Sequence, residues 1–540
     1  MRLGVAYYPE LRDPASWAGD FALMRDAGIE RIRMAEFAWS TMEPAPGAYA
    51  WEWLDEAIAL AAAYGIETVL CTPTACPPVW LVEAHPDILP VDRYGRRTGF
   101  GARQHRCYNA PAYQMYAGDI VNAMAERYGQ HPHVVAWQLD NELGGEQKRC
   151  YCDECRAAFQ AHLAGEYGSL EALNESWGTA FWSQTYTSWG QIPVPVAHAA
   201  DLPMRHHPSL ELAFSRFSSR VITDFAHHQA AILRAFTGER PITTNAFMFR
   251  WGDNVNWYAL FDGLDAVGID LYTTQDYEIG FYADFCRGMG VPLWVMEYGA
   301  QLENLATGLS LLAERGCDWT FLFKFNPTPA GQEQSMKQLL TVTGAPAPNF
   351  HVLKDWAQTH QTEAPPAPEA PAVGLLYDFD SAWVRAIDAR QAPQAQDWVY
   401  AHDMVHVVYR TLFELGYPVR VVRSPDMLDG LDALVVPWCQ VYDGQLEAAL
   451  IEFVRAGGIL LVTHDLFHKD HDNAYLTSVP PIYRELLAWV EADFIEPGES
   501  PVVQAAEVGA GQAWMVRADM TREEWLAVMQ VALEEGPAGQ

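Results

Sequence analysis

The sequence predicts an α/β protein in which a (β/α)8 barrel of the TIM type is followed by a smaller, flavodoxin-like open α/β domain. Strand-like and helix-like patterns alternate over residues 3–360, which is typical of parallel βα units. The proline-rich segment 363–371 then interrupts the pattern, because proline disfavours a helix interior and favours an extended, semi-rigid linker. Short β-rich runs separated by helical patterns resume at Val373 and indicate a second domain.

Short apolar runs in the first part of the chain are the candidate strands of the barrel, and eight is the number that closes one. They cover residues 3–7, 31–35, 67–71, 134–139, 242–245, 266–270, 293–296 and 320–325. Amphipathic helical segments lie between them. Two examples, 53–64 and 113–128, are each followed by a glycine suited to end a helix. We therefore expect a barrel domain over residues 1–362.

The second domain is expected over residues 373–496. Its candidate strands, at 373–377, 419–422, 433–436 and 459–463, alternate with helical patterns at 402–415 and 445–456. This order is typical of a small open α/β sheet. Residues 497–540 contain one strand-like run around Trp514 and one helical run at 522–534, which is too little for an independent core. We expect this segment to be a reduced C-terminal appendage.

Composition and charge limit the classes of partner. The 540 residues include 69 acidic and 35 basic residues, which give a formal net charge of −34. Such a charge repels nucleic acid and anionic membranes, so a small neutral substrate is the expected partner. The N-terminus does not have the pattern of a signal peptide, no membrane-spanning run is apparent, and the nine cysteines are an odd number. We expect a cytoplasmic protein.

Two glutamates stand at the ends of apolar runs. Glu142 follows the strand 134–139 and comes directly after Asn141, and Glu297 follows the strand 293–296. The carboxyl ends of the strands form the rim that carries the chemistry of a parallel barrel. Two carboxylates at one rim are the minimum needed to cleave a glycosidic bond. We assign Glu142 as acid/base and Glu297 as nucleophile.

The distance between the two carboxyl groups decides the stereochemistry. A gap of about 5–5.5 Å would give retention through a covalent intermediate, and a wider gap would leave room for water and inversion. Sequence spacing does not measure this gap. The alternative is that each glutamate only forms a structural ion pair at the rim and has no catalytic role.

Four cysteines have the spacing of a metal site. Cys150, Cys152 and Cys155 lie within six residues, and Cys107 is the natural fourth ligand. A closed tetrathiolate leaves no open position for water, so we expect a structural zinc without a part in the chemistry. Unliganded thiols are the alternative, although exposed cysteines at this density would oxidise. No organic cofactor is expected.

Cys439 is a candidate nucleophile in the second domain because it follows the predicted strand 433–436. Its surroundings, Pro437-Trp438-Cys439-Gln440, do not contain the glycines that usually flank a strained nucleophile elbow. We therefore interpret Cys439 as a buried structural thiol.

Several motifs of the chain resemble those of the β-galactosidases of glycoside hydrolase family 42. They are Tyr7-Tyr8-Pro9-Glu10, Glu36-Phe37-Ala38-Trp39-Ser40 with Glu43-Pro44, Thr72-Pro73-Thr74-Ala75, Pro77-Pro78-Val79-Trp80-Leu81, Gln138-Leu139-Asp140-Asn141-Glu142, Thr243-Thr244-Asn245 and the cysteine cluster. The resemblance implies a retaining barrel enzyme, a flavodoxin-like domain used to form a homotrimer, and a small β-rich third domain. It gives Glu142 and Glu297 the same roles as above and matches the four cysteines to a zinc site. It further implies a small neutral oligosaccharide or galactoside as substrate, with contacts from Arg103, Asn141, Trp182, Tyr272 and Glu333.

The chain also departs from the family pattern near the expected sugar pocket. Asn304-Leu305 stands where the family usually has asparagine and tryptophan, Met336 stands where it has histidine, and 323–326 replace its arginine-tryptophan pattern. A pocket that loses a hydrogen bond to a sugar hydroxyl discriminates less against a sugar lacking it. We therefore keep an α-L-arabinopyranoside or a β-D-fucoside as an alternative glycone, and a weakly active sugar-binding protein as the rival class.

Overall fold

The computed structural model describes residues 1–146, 148–197, 206–249, 254–334, 336, 338–360, 370, 372–389, 399–487 and 503–534. The chain divides into two compact units. The first contains Met1–Ala158 and Ser218–Pro368, and the second contains Phe159–Phe217 and Glu369–Gln540. Apart from Ala370, the predicted linker 363–371 lies outside the described residues.

The first unit is built on a closed parallel barrel. Its strands are β1 (Arg2–Ala6), β2 (Arg31–Met34), β3 (Glu67–Cys71), β4 (Val134–Leu139), β5 (Ile242–Phe247), β6 (Val267–Leu271), β7 (Leu293–Gly299) and β8 (Cys317–Phe323). Each strand pairs in parallel with the next, and β8 pairs with β1. The predicted (β/α)8 barrel is confirmed. The largest differences lie in β7, which runs three residues further than expected, and in β8, which begins three residues earlier.

Helices surround the barrel. In the first unit they are Pro14–Asp26, Trp39–Met42, Glu52–Ala63, Val79–Ala84, Pro111–Tyr128, Trp257–Phe261, Asp276–Arg287, Leu305–Glu314 and Pro348–His360, and the unit boundaries fall within Asp153–Tyr167 and Pro208–Thr237. The first of them begins where Asp13 accepts a hydrogen bond from the backbone N–H of Ala15, which satisfies one of the free donors of a helix start. Among the described helices, none has the length and apolar character needed to cross a membrane.

Two glycines allow close packing inside the barrel. A Cβ on Gly4 would lie 2.3 Å from the ring of Phe321, and one on Gly268 would lie 2.0 Å from the carbonyl oxygen of Thr244. Both distances are far below van der Waals contact, so these positions require glycine. The strands can therefore approach each other closely below the rim that holds the polar residues.

The second unit contains a six-stranded sheet. Its strands are β9 (Val373–Leu376), β10 (Val419–Val422), β11 (Ala433–Val436), β12 (Ile459–Thr463), β13 (Val503–Val508) and β14 (Gly511–Val516), in the order β10-β9-β11-β12-β14-β13. All neighbours are parallel except β13 and β14. The open α/β sheet is confirmed. Its helices are Leu170–Trp177, Phe379–Ala389, Val399–Asp403, the π-helix Met404–Tyr409, Arg410–Glu414, Gly444–Arg455, Pro481–Glu485 and Arg522–Glu534.

The C-terminal segment differs from its expected form as an appendage at 497–540. It supplies two strands rather than one, and β14 pairs in parallel with β12 over Ile459 to Thr463. Ala513 and Met515 of β14 belong to the apolar core of the sheet. The segment is too short for its own core, and it therefore completes the core of residues 373–487.

Residues 159–217 belong to the second unit, although the sequence analysis included them in the barrel domain. Arg216 donates hydrogen bonds to both carboxylate oxygens of Asp380, at 3.0 and 2.8 Å. Tyr167 and Ser176 both donate to Asp472. These polar contacts tie the insertion to the open-sheet unit, and no local sequence pattern indicates such long-range pairs.

Candidate active site

A sharp turn after β4 presents Asn141 and Glu142. Asp140 and Glu142 have positive φ angles of 52° and 46°, which non-glycine residues adopt only where surrounding contacts hold them. The Asp140 carboxylate accepts hydrogen bonds from Arg106 at 2.8 Å and from Thr74 at 2.6 Å. The backbone N–H of Glu142 donates to Oδ1 of Asn245, at 3.0 Å. The turn is therefore fixed by side chains from neighbouring strands and loops.

Glu142 is buried and paired with one cation. Nη2 of Arg103 donates a hydrogen bond to Oε2 of Glu142 at 2.6 Å. Burial raises the pKa of Glu142 to about 7, Arg103 opposes this rise, and the nearby negative charge of Glu297 adds to it. Near neutral pH such a carboxyl group can both give and take a proton, as general acid–base catalysis requires.

Glu297 lies in β7 and has a different set of partners. Arg33 donates to its Oε1 at 2.6 Å, and the hydroxyl of Tyr272 donates to its Oε2 at 2.5 Å. Arg33 is itself fully buried and also donates to Glu36 at 2.6 Å. These hydrogen bonds from a cation and a phenol hold both oxygens of the Glu297 carboxylate in place. Glu297 is thus fixed at the rim, where a nucleophile is needed.

Three carboxyl groups converge at the rim. One oxygen each of Glu142, Asp270 and Glu297 lies within 4.8 Å of the others. This upper bound on the distance between an oxygen of Glu142 and an oxygen of Glu297 agrees with the shorter spacing of about 5–5.5 Å between the carboxyl groups of retaining enzymes. The barrel therefore brings together the two glutamates that the sequence analysis selected.

The sequence analysis did not select Asp270 or Arg33. Asp270 is the next-to-last residue of β6, and its Oδ2 accepts a hydrogen bond from Asn245 at 2.6 Å. Arg33 lies inside β2 among buried residues. A buried charged residue in an otherwise apolar strand, as Asp270 is in β6, is a usable signal, since such a charge requires a partner. The short strand β2 contains a second buried arginine, Arg31, so its sequence does not single out Arg33. The partner of each charge is not evident before the barrel closes.

The residues expected to contact substrate occupy different surroundings. Arg103 joins Glu142 to Glu146, and Tyr272 contacts Glu297. Asn141 accepts hydrogen bonds on Oδ1 from Arg33 and Asn245. Its Nδ2 has no hydrogen-bond partner among the described residues. Asn141 can therefore donate to a sugar hydroxyl.

Glu333 and the three departures from the family pattern, at Leu305, Met336 and residues 323–326, all lie in the first unit. Nζ of the buried Lys324 is 3.2 Å from Oε2 of Glu333, so the structure pairs Glu333 with this lysine. Met336 packs against the apolar cluster of Ala6, Tyr8 and Phe323. Leu305 is buried at the start of the helix Leu305–Glu314, where it offers no exposed platform.

Trp182 belongs to the second unit. It is 62% exposed, has a φ of 56° and lies against the ring of Phe181. An exposed aromatic ring is suited to stacking on a sugar. Its contact with substrate stays a prediction.

The four cysteines form one cluster in the first unit. The sulfur atoms of Cys107, Cys150, Cys152 and Cys155 all lie within 4.8 Å of one another. Cys107 Sγ is 3.6 Å from Cys152 Sγ and 3.4 Å from Cys155 Sγ. Four thiolates at the Zn–S distance of about 2.3 Å would be about 3.8 Å apart in a tetrahedron, so the cluster fits a tetrahedral metal ion. Backbone N–H groups point at two of the sulfurs, from Val91 to Cys150 and from Cys155 to Cys152.

A parallel eight-stranded barrel with two buried, closely spaced glutamates at its carboxyl rim defines a barrel glycoside hydrolase. Residues 6–361 match the family model described as beta-galactosidase (Glyco_hydro_42), and residues 371–497 match the beta-galactosidase trimerisation domain. Beta-galactosidase BgaA of a Thermus species is 35% identical over 97% of this chain and 85% of its own length. A beta-galactosidase of Thermus thermophilus is 37% identical over 85% of this chain and 74% of its own length.

The structural comparison agrees with the sequence matches. The polyextremophilic beta-galactosidase of the Antarctic haloarchaeon Halorubrum lacusprofundi has a TM-score of 0.89 with this protein at 29% identity, covering 99% of this chain and 90% of that one. The chain belongs to glycoside hydrolase family 42, the family of retaining enzymes described as β-galactosidases. The protein is a glycosidase.

Proposed function

We propose that the protein hydrolyses terminal β-D-galactosyl residues with retention of configuration, using Glu142 as acid/base and Glu297 as nucleophile. The observation that carries the proposal is the convergence of their carboxyl oxygens within 4.8 Å. The choice of galactoside is supported by the relatives that match most of this chain, since their names describe them as β-galactosidases.

The reaction follows from the different partners of the two glutamates. In the first step, Glu297 attacks the anomeric carbon while Glu142 gives its proton to the leaving oxygen, so that a glycosyl ester replaces the glycosidic bond. In the second step, Glu142 takes a proton from water, which attacks the same carbon and releases Glu297 as a carboxylate. Arg33 and Tyr272 stabilise the ionised Glu297 at the start and end of this cycle.

We propose that Asn141 donates from its unpaired Nδ2 to the hydroxyl next to the anomeric carbon, a contact that strengthens in the transition state. Arg103, Tyr272 and Glu333 are proposed to hold the remaining hydroxyls. Trp182 is proposed as a stacking platform because its ring is exposed. Each of these roles is tested by a rise in KM or a fall in kcat on alanine substitution.

A second glycone stays a candidate because of Met336. This side chain packs on the cluster of Ala6, Tyr8 and Phe323. A thioether cannot donate a hydrogen bond to a primary hydroxyl. A pocket without that hydrogen bond discriminates less against a glycone that lacks the hydroxyl, such as a β-D-fucoside or an α-L-arabinopyranoside.

The test is hydrolysis of matched nitrophenyl glycosides, with the anomer of the first product followed by NMR. We expect β-galactoside to be cleaved first and β-galactose to appear before mutarotation. Hydrolysis of the fucoside or the arabinopyranoside more than tenfold faster than that of the galactoside would change the assigned glycone and leave the assigned mechanism unchanged. Initial release of α-galactose from the β-galactoside would overturn retention. Sugar binding without cleavage of any glycoside would support the weakly active binding protein instead.

We propose that zinc occupies the cysteine cluster, since a soft tetrathiolate set favours this ion. Metal analysis should give about one zinc per chain. Cys152→Ser should lose the metal and lower the melting temperature, whereas Cys76→Ser, which lies outside the cluster, should keep it. A protein that contains no zinc and is equally stable after Cys152→Ser would contradict the proposal.

We propose that the chain forms a homotrimer in the cytoplasm, with residues 1–362 as the catalytic domain. The match of residues 371–497 to a trimerisation domain supports the assembly, and a reduced thiolate cluster is suited to a reducing compartment. Light scattering that gives a mass three times that of the 60.4 kDa chain is the expected result. A monomer would contradict the assembly.

A further inference from the structure

Asp270 is a buried carboxyl group that the proposed reaction does not use. It is fully buried next to the end of β6. Its Oδ2 accepts a hydrogen bond from Nδ2 of Asn245 at 2.6 Å, and its Oδ1 has no donor among the described residues. A buried ionised carboxylate normally needs several donors or a cation. Within the described part of the chain, Asp270 has one donor, and this donor is neutral.

The cations of the site are committed to other carboxylates. Arg33 contacts Glu297 and Glu36, and Arg103 contacts Glu142 and Glu146. The hydroxyl of Tyr272 donates its hydrogen bond to Glu297 rather than to Asp270. The charged groups that act on Asp270 are Glu297 on β7, Glu142 after β4 and Arg33 on β2. Among the described residues, no cation forms an ion pair with Asp270 itself.

Three carboxylates whose oxygens lie within 4.8 Å cannot all be ionised at low cost. Glu297 must be ionised to attack, and Glu142 must alternate between acid and base. The group that holds a proton throughout is then the one with the fewest donors and no cation, which is Asp270.

We propose that Asp270 is a positioning residue that stays protonated during catalysis and donates its carboxylic-acid proton to a carboxylate oxygen of Glu142. The inference rests on the proposed function, because it assigns a partner to the acid/base of that reaction. Asp270 does not exchange its proton with substrate. Asn245 fixes its orientation by donating to the opposite oxygen.

The directions of the pKa shifts agree with this geometry. Burial, followed by the negative charges of Glu297 and Glu142, raises the pKa of Asp270 well above its usual range, while Arg33 opposes the rise. The interaction between the two side chains raises the pKa of Asp270 and lowers that of Glu142. These directions agree with a proton held by Asp270 rather than by Glu142.

The contact matters most in the second step of the reaction. Once Glu297 is an ester, its negative charge no longer acts on Glu142, and Glu142 must be ionised to take a proton from water. A neutral donor beside Glu142 stabilises this ionised form and holds its oxygen in place, without adding a second negative charge. An ionised Asp270 would do the opposite.

The experiment compares the pH dependence of kcat/KM for wild type, Asp270→Asn and Asp270→Ala, using the unactivated phenyl glycoside of the preferred sugar. Asparagine keeps the shape, the neutral charge and one donor. We therefore expect its alkaline limb within about 0.3 pH unit of wild type and its kcat within about threefold. Alanine removes the donor, so we expect the limb to move to higher pH and kcat to fall at least about tenfold.

The sign of the shift separates the two states of Asp270. If Asp270 were ionised, Asp270→Asn would remove a negative charge, lower the pKa of Glu142 and move the alkaline limb down by about one pH unit or more. That result would overturn the inference while leaving the proposed function intact. Wild type that cleaves no glycoside would overturn both.

Folding is controlled separately. Melting temperatures of the three proteins are compared, and Asp270→Asn, which keeps the acceptor for Asn245, carries the decisive measurement if Asp270→Ala does not fold. An alanine variant that folds and keeps the kcat and pH profile of wild type would also overturn the inference.

Discussion

The chain turns through residues with positive φ both at the barrel rim after β4 and at the sheet edge after β11, but only the first turn carries catalytic residues. After β4 (Val134–Leu139), left-handed residues at Asp140 and Glu142 turn the chain. After β11 (Ala433–Val436), Trp438 has a φ of 54° and is followed by Cys439. Both places are strand ends of parallel sheets, where α/β proteins commonly bind ligands.

The surroundings of the two turns differ. Glu142 contacts a cation and lies beside two other carboxyl groups, whereas Cys439 belongs to an apolar core with Val436, Leu466 and Phe467. Burial raises the pKa of the Cys439 thiol well above its usual range, and the nearby carboxyl of Asp378 adds to this rise. The thiol therefore stays protonated and unreactive. A strand-end turn becomes a catalytic site only where neighbouring strands supply charged partners.

The largest difference between the two regions should appear in activity. Glu297→Gln keeps the size of the side chain but removes the nucleophile, so we expect kcat to fall by about 10³-fold or more. Cys439→Ala, the matched variant of the other region, should keep wild-type kcat. Rates on the preferred nitrophenyl glycoside measure both, and comparable losses in the two variants would remove the distinction.

Stability should depend on the charged partners of the barrel rim. Arg33→Met leaves Glu36 and Glu297 buried without their cation, so we expect the free energy of unfolding to fall by about 3–5 kcal/mol. Arg2, half-exposed on β1 and paired loosely with Glu30 and Glu67, is the control. Arg2→Met should cost less than about 1 kcal/mol. Equal denaturant midpoints for the two variants would contradict the expectation.

The pH profile should report Glu142. A pKa of about 7 means that the proton needed by the leaving group is present below that pH and is lost as pH rises through it. With an unactivated aryl glycoside, kcat/KM should therefore fall about tenfold per pH unit above this point. The leaving group of a dinitrophenyl glycoside departs without protonation, so kcat/KM for this substrate should show no such fall at alkaline pH. The same limb for both substrates would assign it to another group.

The smallest effects are expected at Cys439. Its replacement by alanine removes one buried atom from an apolar core, which should lower the free energy of unfolding by about 1 kcal/mol. The thiol of the folded protein should resist iodoacetamide at pH 8, because it is buried and protonated. Mass spectrometry measures the rate of this alkylation. Rapid alkylation of Cys439 in the folded protein would show that the thiol is accessible to solvent, which contradicts its burial.

Much of the fold follows from local patterns. The eight strands, the helices between them and the open sheet each appear as apolar runs of the right length and period. The ends of the strands are predicted less accurately. Glu297 lies inside β7 rather than after it, because a polar residue within an apolar run is interpreted as the end of the strand. The strand pairing of residues 503–516 was not evident, since it depends on β12, about 50 residues earlier.

Neighbouring residues encode the barrel, the open sheet, the two glutamates near strand ends and the cysteine spacing, so these features are visible in the chain before it folds. The turn at Trp438 forms without glycine, which no local rule indicates. The convergence of Glu142, Asp270 and Glu297 within 4.8 Å arises only in the folded barrel. The same holds for the ion pair of Arg33 with Glu297, while no ion pair of Asp270 is found among the described residues. Closure of the barrel brings β4, β6 and β7 to one rim, whereas their sequence separations contain no information on distance.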